Sequence, residues 1–349
     1  MLLVKSRNMK RVKYIVVLLM IGAMMSCGND NLFMRGAKVK AEVPAKVVNI
    51  FGEKIPLDLE EDVFLSPFVV NDSIVILNSI GQGSVPLYRA NIIDGSVVPI
   101  LLRGRGPSEM LLAQVVKVGK DASGRDVVYL YDINTAKMNI LDIEASASKR
   151  SGVFTSSFSI PERALNLFML DDGFLQKVNN GQGHLLYRKF DRGFNLLEEY
   201  DLYGSGITQD GVVTSCECVS PAGNRLFLGM FYFDKANFLS LDSSPHFSVV
   251  TDKGQNNFAE KEMIRQIEET KSYEGLDHYY LSCKNGGDYI FTRRDPGNVI
   301  RIFRWDGTIL ADVTLDRQIS SFGCSQDGKT VYAFDTDFKF YKYDFSDIL

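Results

Sequence analysis

Short β-rich runs recur along this chain at a nearly fixed spacing, and that period restricts the fold more than any other feature. Examples are Ser73-Ile74-Val75-Ile76-Leu77, Asp126-Val127-Val128-Tyr129-Leu130, Asn224-Arg225-Leu226-Phe227-Leu228, Asp288-Tyr289-Ile290-Phe291 and Thr330-Val331-Tyr332-Ala333-Phe334. Most follow a turn signal, as at Ser123-Gly124, Gly223-Asn224, Gly286-Gly287 and Asp327-Gly328. Six units align, each with an apolar strand, a turn, a strongest β run and an alternating exit strand such as Met138-Asn139-Ile140-Leu141-Asp142. Their second strands begin near Ser73, Asp126, Gly173, Asn224, Asp288 and Thr330, so the gaps are 53, 47, 51, 64 and 42 residues. A period of ~40–50 residues with about four strands per unit is the signature of propeller blades. The expected fold is all-β, a six-bladed β-propeller of four-stranded antiparallel blades over residues 44–349.

Two departures from the repeat carry information. The 64-residue gap holds an insertion, and within it Phe258 to Ile267 places Ala259, Met263, Ile264 and Ile267 on one helical face. A helix near residues 257–271 is therefore expected, packed on one end of the disc as a core element, with a lid over the central opening as the other reading. The last unit runs through Lys339-Phe340-Tyr341-Lys342-Tyr343-Asp344 and is one outer strand short. A ring has to close, because an open sheet edge invites pairing with other chains. Lys46-Val47-Val48-Asn49-Ile50-Phe51 is β-rich and has no partner of its own, so it is expected to complete the last blade.

The first residues speak to location. Basic Lys10, Arg11 and Lys13 lead into an apolar run from Tyr14 to Met25, followed at once by Ser26-Cys27-Gly28. That order reads as a secretory signal over residues 1–26. The run is shorter than the ~20 residues a spanning helix needs. A cysteine directly after such a signal resembles the lipobox of bacterial lipoproteins, in which the thiol receives a diacylglycerol. Cys27 is then the lipidation site, with Met24-Met25-Ser26 in place of the commoner Leu-Ala-Gly. The plainer alternative is an ordinary signal or an uncleaved anchor with an incidental cysteine. Residues 27–43 are expected as a tether to the membrane, and the address as the cell envelope, at the outer membrane, with its periplasmic or surface side left open.

Without residues 1–26 the net charge moves from −4 to −9. An acidic chain with no basic stripe is a poor partner for nucleic acid, whose phosphates demand clustered Lys and Arg. Beyond Cys27 only Cys216, Cys218, Cys283 and Cys324 remain, too few for a dense disulfide framework in so large a domain. Cys216-Glu217-Cys218 would project both thiols from one side of a strand, but zinc needs four ligands and no compact second pair lies nearby. The alignment puts Cys218, Cys283 and Cys324 on the first strands of units four, five and six, where packed thiols are the expectation. His184, His246 and His278 fall in different units and suggest no metal or triad. Asp132, Asp142, Asp191, Asp306, Asp335 and Asp344 sit where Asp bonds its own turn, and none forms a dense calcium loop. No metal, no cofactor and no catalytic residue is singled out.

The remaining motif is Arg103-Gly104-Arg105-Gly106-Pro107-Ser108-Glu109, after the first unit. Gly104 and Gly106 free the backbone and Pro107 fixes the next step, so the turn can hold Arg105 near Glu109. The structural reading is a rigid corner between blades braced by a charge pair. The functional one places Arg103 or Arg105, with Glu109, at the channel mouth as an anion-binding set. No dinucleotide loop is present, because the third glycine and its helix are missing. With this element the chain resembles the TolB-like six-bladed propeller family of bacterial lipoproteins. The resemblance implies a six-bladed propeller on an envelope lipoprotein and supplies no catalytic residues. The expected work is binding of a glycan, peptide or envelope partner protein, with Tyr88, Trp305 or Phe231 as aromatics that could stack on sugars. The competing reading is a carboxylate-based glycoside hydrolase or lyase acting at the propeller face.

Overall fold

Each repeat unit becomes one antiparallel sheet, and the six sheets stand in a ring as the blades of a propeller. The computed structural model describes residues 31–59, 65–79, 83–180, 184–203, 210–251 and 257–349; the expected export signal and Cys27 lie outside them. Blades 1 to 6 run over residues 65–101, 114–159, 166–200, 215–250, 280–315 and 319–344. The second strands begin at Ile74, Asp126, Gly173, Arg225, Tyr289 and Thr330, within a residue of the positions expected from the repeat.

The packing explains why these second strands are continuously apolar rather than alternating. Successive side chains of a strand point to opposite faces, and here each face meets a different neighbouring blade. In blade 1, Val75 and Leu77 pack with Tyr332, Phe334 and Phe340 of blade 6, while Ile76 between them packs with Val128 and Leu130 of blade 2. Blade 4 repeats the arrangement: Leu226 and Leu228 face Leu175 and Tyr187 of blade 3, and Phe227 faces Ile290 and Phe303 of blade 5. The hydrophobic core is thus a series of clusters, each sitting between two adjacent blades.

Closure comes from the N-terminal segment, in a form that corrects the sequence expectation. Three short strands, β1 (Lys38–Ala41), β2 (Val47–Ile50) and β3 (Glu53–Ile55), lie outermost on blades 4, 5 and 6 in turn. The expectation that Lys46–Phe51 completes the last blade is off by one strand. β2 pairs in parallel with Ile309–Leu315 of blade 5, and it is β3 that pairs antiparallel with Phe340–Lys342 of blade 6. The tether expected over residues 27–43 also needs correction, because β1 pairs in parallel with Phe247–Val250. Asn31, Phe33 and Met34 before it are buried. The crossing from β2 to β3 is held by Asp316, whose Oδ1 accepts from the Gly52 N–H and the Tyr343 hydroxyl, each at 3.2 Å. A Cβ at Gly52 would lie 2.6 Å from the Tyr343 ring, so the backbone can pass only where no side chain exists.

Among the described residues, two α-helices interrupt the sheets. Helix α1 (Ile143–Lys149), not foreseen, follows the third strand of blade 2, and the Asp142 carboxylate caps it by accepting from the Ala145 N–H at 2.9 Å. Helix α2 (Asn257–Thr270) is the expected insertion. Its Ile264 and Ile267 are buried with Phe33, Met34 and the blade 3–4 cluster, so its apolar stripe is core. It is tied down by an ion pair between Glu260 and Lys235 of blade 4 at 2.5 Å, with both side chains 2% exposed. Burial pulls the Lys235 amine below its ordinary range while Glu260 opposes the shift. Removing one partner leaves the other charge buried alone. Glu260→Ala is expected to lower unfolding stability by about 3–5 kcal/mol, and a Lys235→Met/Glu260→Leu double variant to recover most of it, as read by urea denaturation.

Candidate functional site

The first strand of every blade is innermost, and together the six strands wall a central channel. It holds a cavity of about 540 Å³ reached by Pro67 and Phe68 of blade 1, Lys117 of blade 2, Asn166 of blade 3, Glu217 of blade 4, Lys284 of blade 5 and Cys324 of blade 6. Asp171, Pro221, Gly287 and Gln326, in the turns after the first strands, place one end of the cavity.

Polar bonds join one inner strand to the next. Gln114 donates to Asn166 at 2.6 Å, and Asn166 donates to Glu217 at 3.1 Å, linking blades 2, 3 and 4. Asn285 donates to the Val219 carbonyl at 2.9 Å, and the Cys324 thiol to the Asn285 carbonyl at 3.3 Å, linking blades 4, 5 and 6. The Ser321 hydroxyl bonds the Leu65 carbonyl, linking blades 6 and 1. Asn78 donates to the Ala113 carbonyl at 3.2 Å, just before the inner strand of blade 2.

Glu217 is the charged hub of this wall. It faces blade 3, where it accepts from Lys177 at 2.5 Å and the Tyr187 hydroxyl at 2.8 Å, as well as from Ser215 at 2.8 Å. Its side chain is 2% exposed and that of Lys177 11%, so the pair is closed off from bulk water. Burial first, and then the Glu217 charge, push the Tyr187 phenol well above its ordinary range. The strand's alternation sends Cys216 and Cys218 the other way, toward blade 5, where both lie in the cluster around Cys283. Cys218, Cys283 and Cys324 do occupy the first strands of blades 4, 5 and 6 as expected. All four thiols are free, and burial raises those of Cys216 and Cys283 and pushes Cys324 up to about 12.

Lys284 differs from the other interior cations. Its ammonium lies 4.0 Å from the centre of the Phe68 ring, across the inner strand of blade 6, and makes no hydrogen bond or ion pair among the described residues. Burial lowers its affinity for a proton, and the nearby Cys324, Cys283 and Cys218 only weakly oppose this.

The residues singled out from sequence fall elsewhere. Arg103 donates to the carbonyls of Gly83 and Leu111, both at 2.7 Å, so its guanidinium braces the corner. Glu109 turns inward and accepts from the Gly106 N–H at 2.9 Å. Arg105 is exposed, and no ion pair joins it to Glu109, so the corner is rigid without the charge pair expected for it. None of the three lines the cavity. Trp305 donates to the Gly287 carbonyl at 3.0 Å, Tyr88 packs beside the blade 6–1 cluster, and Phe231 lies 4.6 Å from the His278 ring. The six aspartates each accept from a backbone N–H two to four residues ahead, at Asn134, Ala145, Asn195, Thr308, Asp337 and Ser346. His246 accepts from the Ser240 N–H at 3.1 Å. Among the described residues, no group of three or more His, Cys, Asp and Glu is placed to hold a metal. Sequence reasoning missed Glu217 and Lys284. The signal for the first was present in Cys216-Glu217-Cys218, whose middle residue is the informative one.

This fold and channel define a six-bladed β-propeller with a central cavity lined by both polar and apolar groups. No family model matches the chain, and no curated protein matches it either. Solved structures similar to it include Kluyveromyces lactis Hsv2, at 11% identity over 80% of this chain and 75% of that one, with a TM-score of 0.44. A chain of the Mitotic Checkpoint Complex is similar at 14% identity over 87% of this chain and 95% of that one, also with a TM-score of 0.44.

Two outcomes are expected from this geometry. A Cβ at Gly104 would lie 1.8 Å from the Glu109 carboxylate. Gly104→Ala therefore displaces Glu109, frees the Gly106 N–H and lowers stability by about 1–3 kcal/mol, whereas Arg105→Ala stays within about 0.5 kcal/mol of the parent by chemical denaturation. Burial pushes the Cys324 thiol up to about 12, so little of it is thiolate at neutral pH. Iodoacetamide labelling of Cys324 followed by mass spectrometry is expected to be slower in the native protein than in urea.

Proposed function

We propose that this protein is a lipid-anchored envelope lipoprotein of the TolB-like kind, attached through Cys27, whose propeller is a binding module for a glycan, peptide or partner protein. The observation that carries the binding reading is the channel: a cavity of about 540 Å³ to which all six inner strands contribute. That size falls within the ~300–1,000 Å³ typical of ligand pockets. Its wall is fixed by strand-to-strand bonds before any ligand arrives, so little ordering is left for binding to accomplish. The anchor rests on the basic head, apolar run and Ser26-Cys27-Gly28 order of the first residues.

The hydrolase or lyase reading gains no support from the site. Of the two carboxylates along the cavity, Glu217 is engaged by four donors and Asp171 is exposed at the turn. A general acid and base pair has to reach the same scissile bond, and neither group is placed as such a pair.

Cys27→Ser is expected to move the protein from the detergent phase to the aqueous phase in a phase-partition assay; unchanged partitioning would refute the anchor. The aqueous form, applied to glycan and peptide arrays, is expected to give a defined set of bound ligands. An empty result on both, with no envelope protein captured by cross-linking in cells, would end the binding reading.

A further inference from the structure

Lys177 faces Glu217 at 2.5 Å, Lys235 faces Glu260 at 2.5 Å, and Arg294 faces Asp234 at 3.1 Å. Arg301 is held by Asp312 at 2.7 Å. Buried cations are normally matched in this way, because an unpaired charge away from water is expensive. Lys284, half-buried on the wall of the channel cavity of about 540 Å³, breaks the pattern. It leaves the inner strand of blade 5 and reaches past blade 6 to the Phe68 ring of blade 1, 4.0 Å away.

Blade 6 lies close against blade 1 here because Gly323 has no side chain; a Cβ at Gly323 would sit 2.3 Å from the Pro67 carbonyl. Nothing on the wall supplies the missing negative charge. Glu217 is already matched by Lys177, and the surrounding thiols hold their protons because burial raises Cys283 and Cys324. The other charged groups along the cavity are Lys117 and Asp171, both exposed. Phe68 gives the cavity an apolar face beside the ammonium, and Val115, Leu167 and Phe168 of blades 2 and 3 also line it. A cation with no counter-ion among the described residues, a flat ring against it and an open channel volume in front together describe half of a site.

We propose that the channel binds a ligand through a carboxylate that pairs with the Lys284 ammonium, while the body of the ligand lies against Phe68 and the apolar inner strands. This inference rests on the binding reading above and names the chemical group that the channel takes. The carboxylate could belong to a small apolar acid or to an acidic sugar, and the experiment separates the two.

The test uses detergent-solubilised full-length protein with benzoate, glucuronate and the neutral isostere benzamide, followed by isothermal titration calorimetry. At least one of the two acids is expected to bind in the millimolar range or tighter, and benzamide at least about tenfold more weakly than benzoate if benzoate is the binder. Lys284→Met is expected to reduce acid binding by about tenfold or more, and Lys284→Arg to retain it. Lys284→Met also removes an unmatched charge, so it is expected to melt at or above the parent temperature. As a readout that needs no variant, the bound acid is expected to slow reductive methylation of Lys284, followed by mass spectrometry. Benzoate binding with glucuronate inert assigns an apolar acid; the reverse assigns an acidic sugar. Binding of neither acid, equal binding of acid to parent and Lys284→Met, or methylation of Lys284 indifferent to the acid would each overturn the inference. Glycan or peptide binding that persists in that case would leave the broader reading standing.

Discussion

Six wedge-shaped sheets form a stable ring only if the last is joined to the first, and in this molecule the joint is a strap rather than a single strand. The N-terminal segment hydrogen-bonds to blades 4, 5 and 6 in succession before it enters blade 1. β3 contributes only three paired residues to blade 6. A pairing so short would hold weakly by itself, since isolated strand pairs are marginal in water. β1 and β2 compensate by fixing the chain on the two preceding rims, and Gly52, Tyr343 and Asp316 fix the step from one rim to the next. The strap also covers three outer edges that would otherwise offer unpaired N–H and C=O groups to other chains. Because it begins inside the core, with Phe33 and Met34 buried beside helix α2, helix and closure share one cluster.

The same ring geometry explains the character of the channel. Interior faces of the blades are filled by side chains from two neighbours, but the inner strands have a neighbour on each side and open space ahead. Their polar side chains therefore turn sideways and bond to the adjacent inner strand, as Gln114, Asn166 and Asn285 do. This ties the inner strands into one wall around the central cavity. Glu217 and Lys177 show how charge is accommodated there, by a matched pair whose further lone pairs accept from hydroxyls.

How much of this was legible in the sequence depends on the range of the interaction involved. Second strands were located to within a residue because their continuous apolar runs and preceding turns are local features. Helix α2 was legible through its stripe, and the thiols of Cys218, Cys283 and Cys324 were placed on inner strands by counting units. The closing strand was not legible: Glu53-Lys54-Ile55 has one buried residue, and the β-rich Val47–Ile50 beside it carries the stronger pattern. Helix α1 was missed because seven residues give too few turns for a period, leaving only the Asp142 cap as a signal. The corner at Gly104 was legible as a corner, but not the direction of Glu109, which depends on an approach of the carboxylate that only the folded loop creates.

The channel residues were hidden for a different reason. A propeller channel draws a few side chains from each blade, so its chemistry is assembled from positions about a repeat apart, and no local motif records it. Lys284 and Phe68 meet across 216 residues of sequence, and neither is unusual in its own strand. Spatial context makes Lys284 informative, because a sequence optimised for stability alone would place a neutral side chain in that wall. Local departures from the rules that govern the rest of a fold concentrate at working sites. Here, among the described residues, the departure is the Lys284 ammonium, which has neither carboxylate nor hydrogen bond, whereas Lys177, Lys235, Arg294 and Arg301 pair with carboxylates and Arg293 donates to the Ile319 carbonyl. A half-buried charge on the channel wall with no partner among the described residues is best accounted for by a partner that comes from outside the chain.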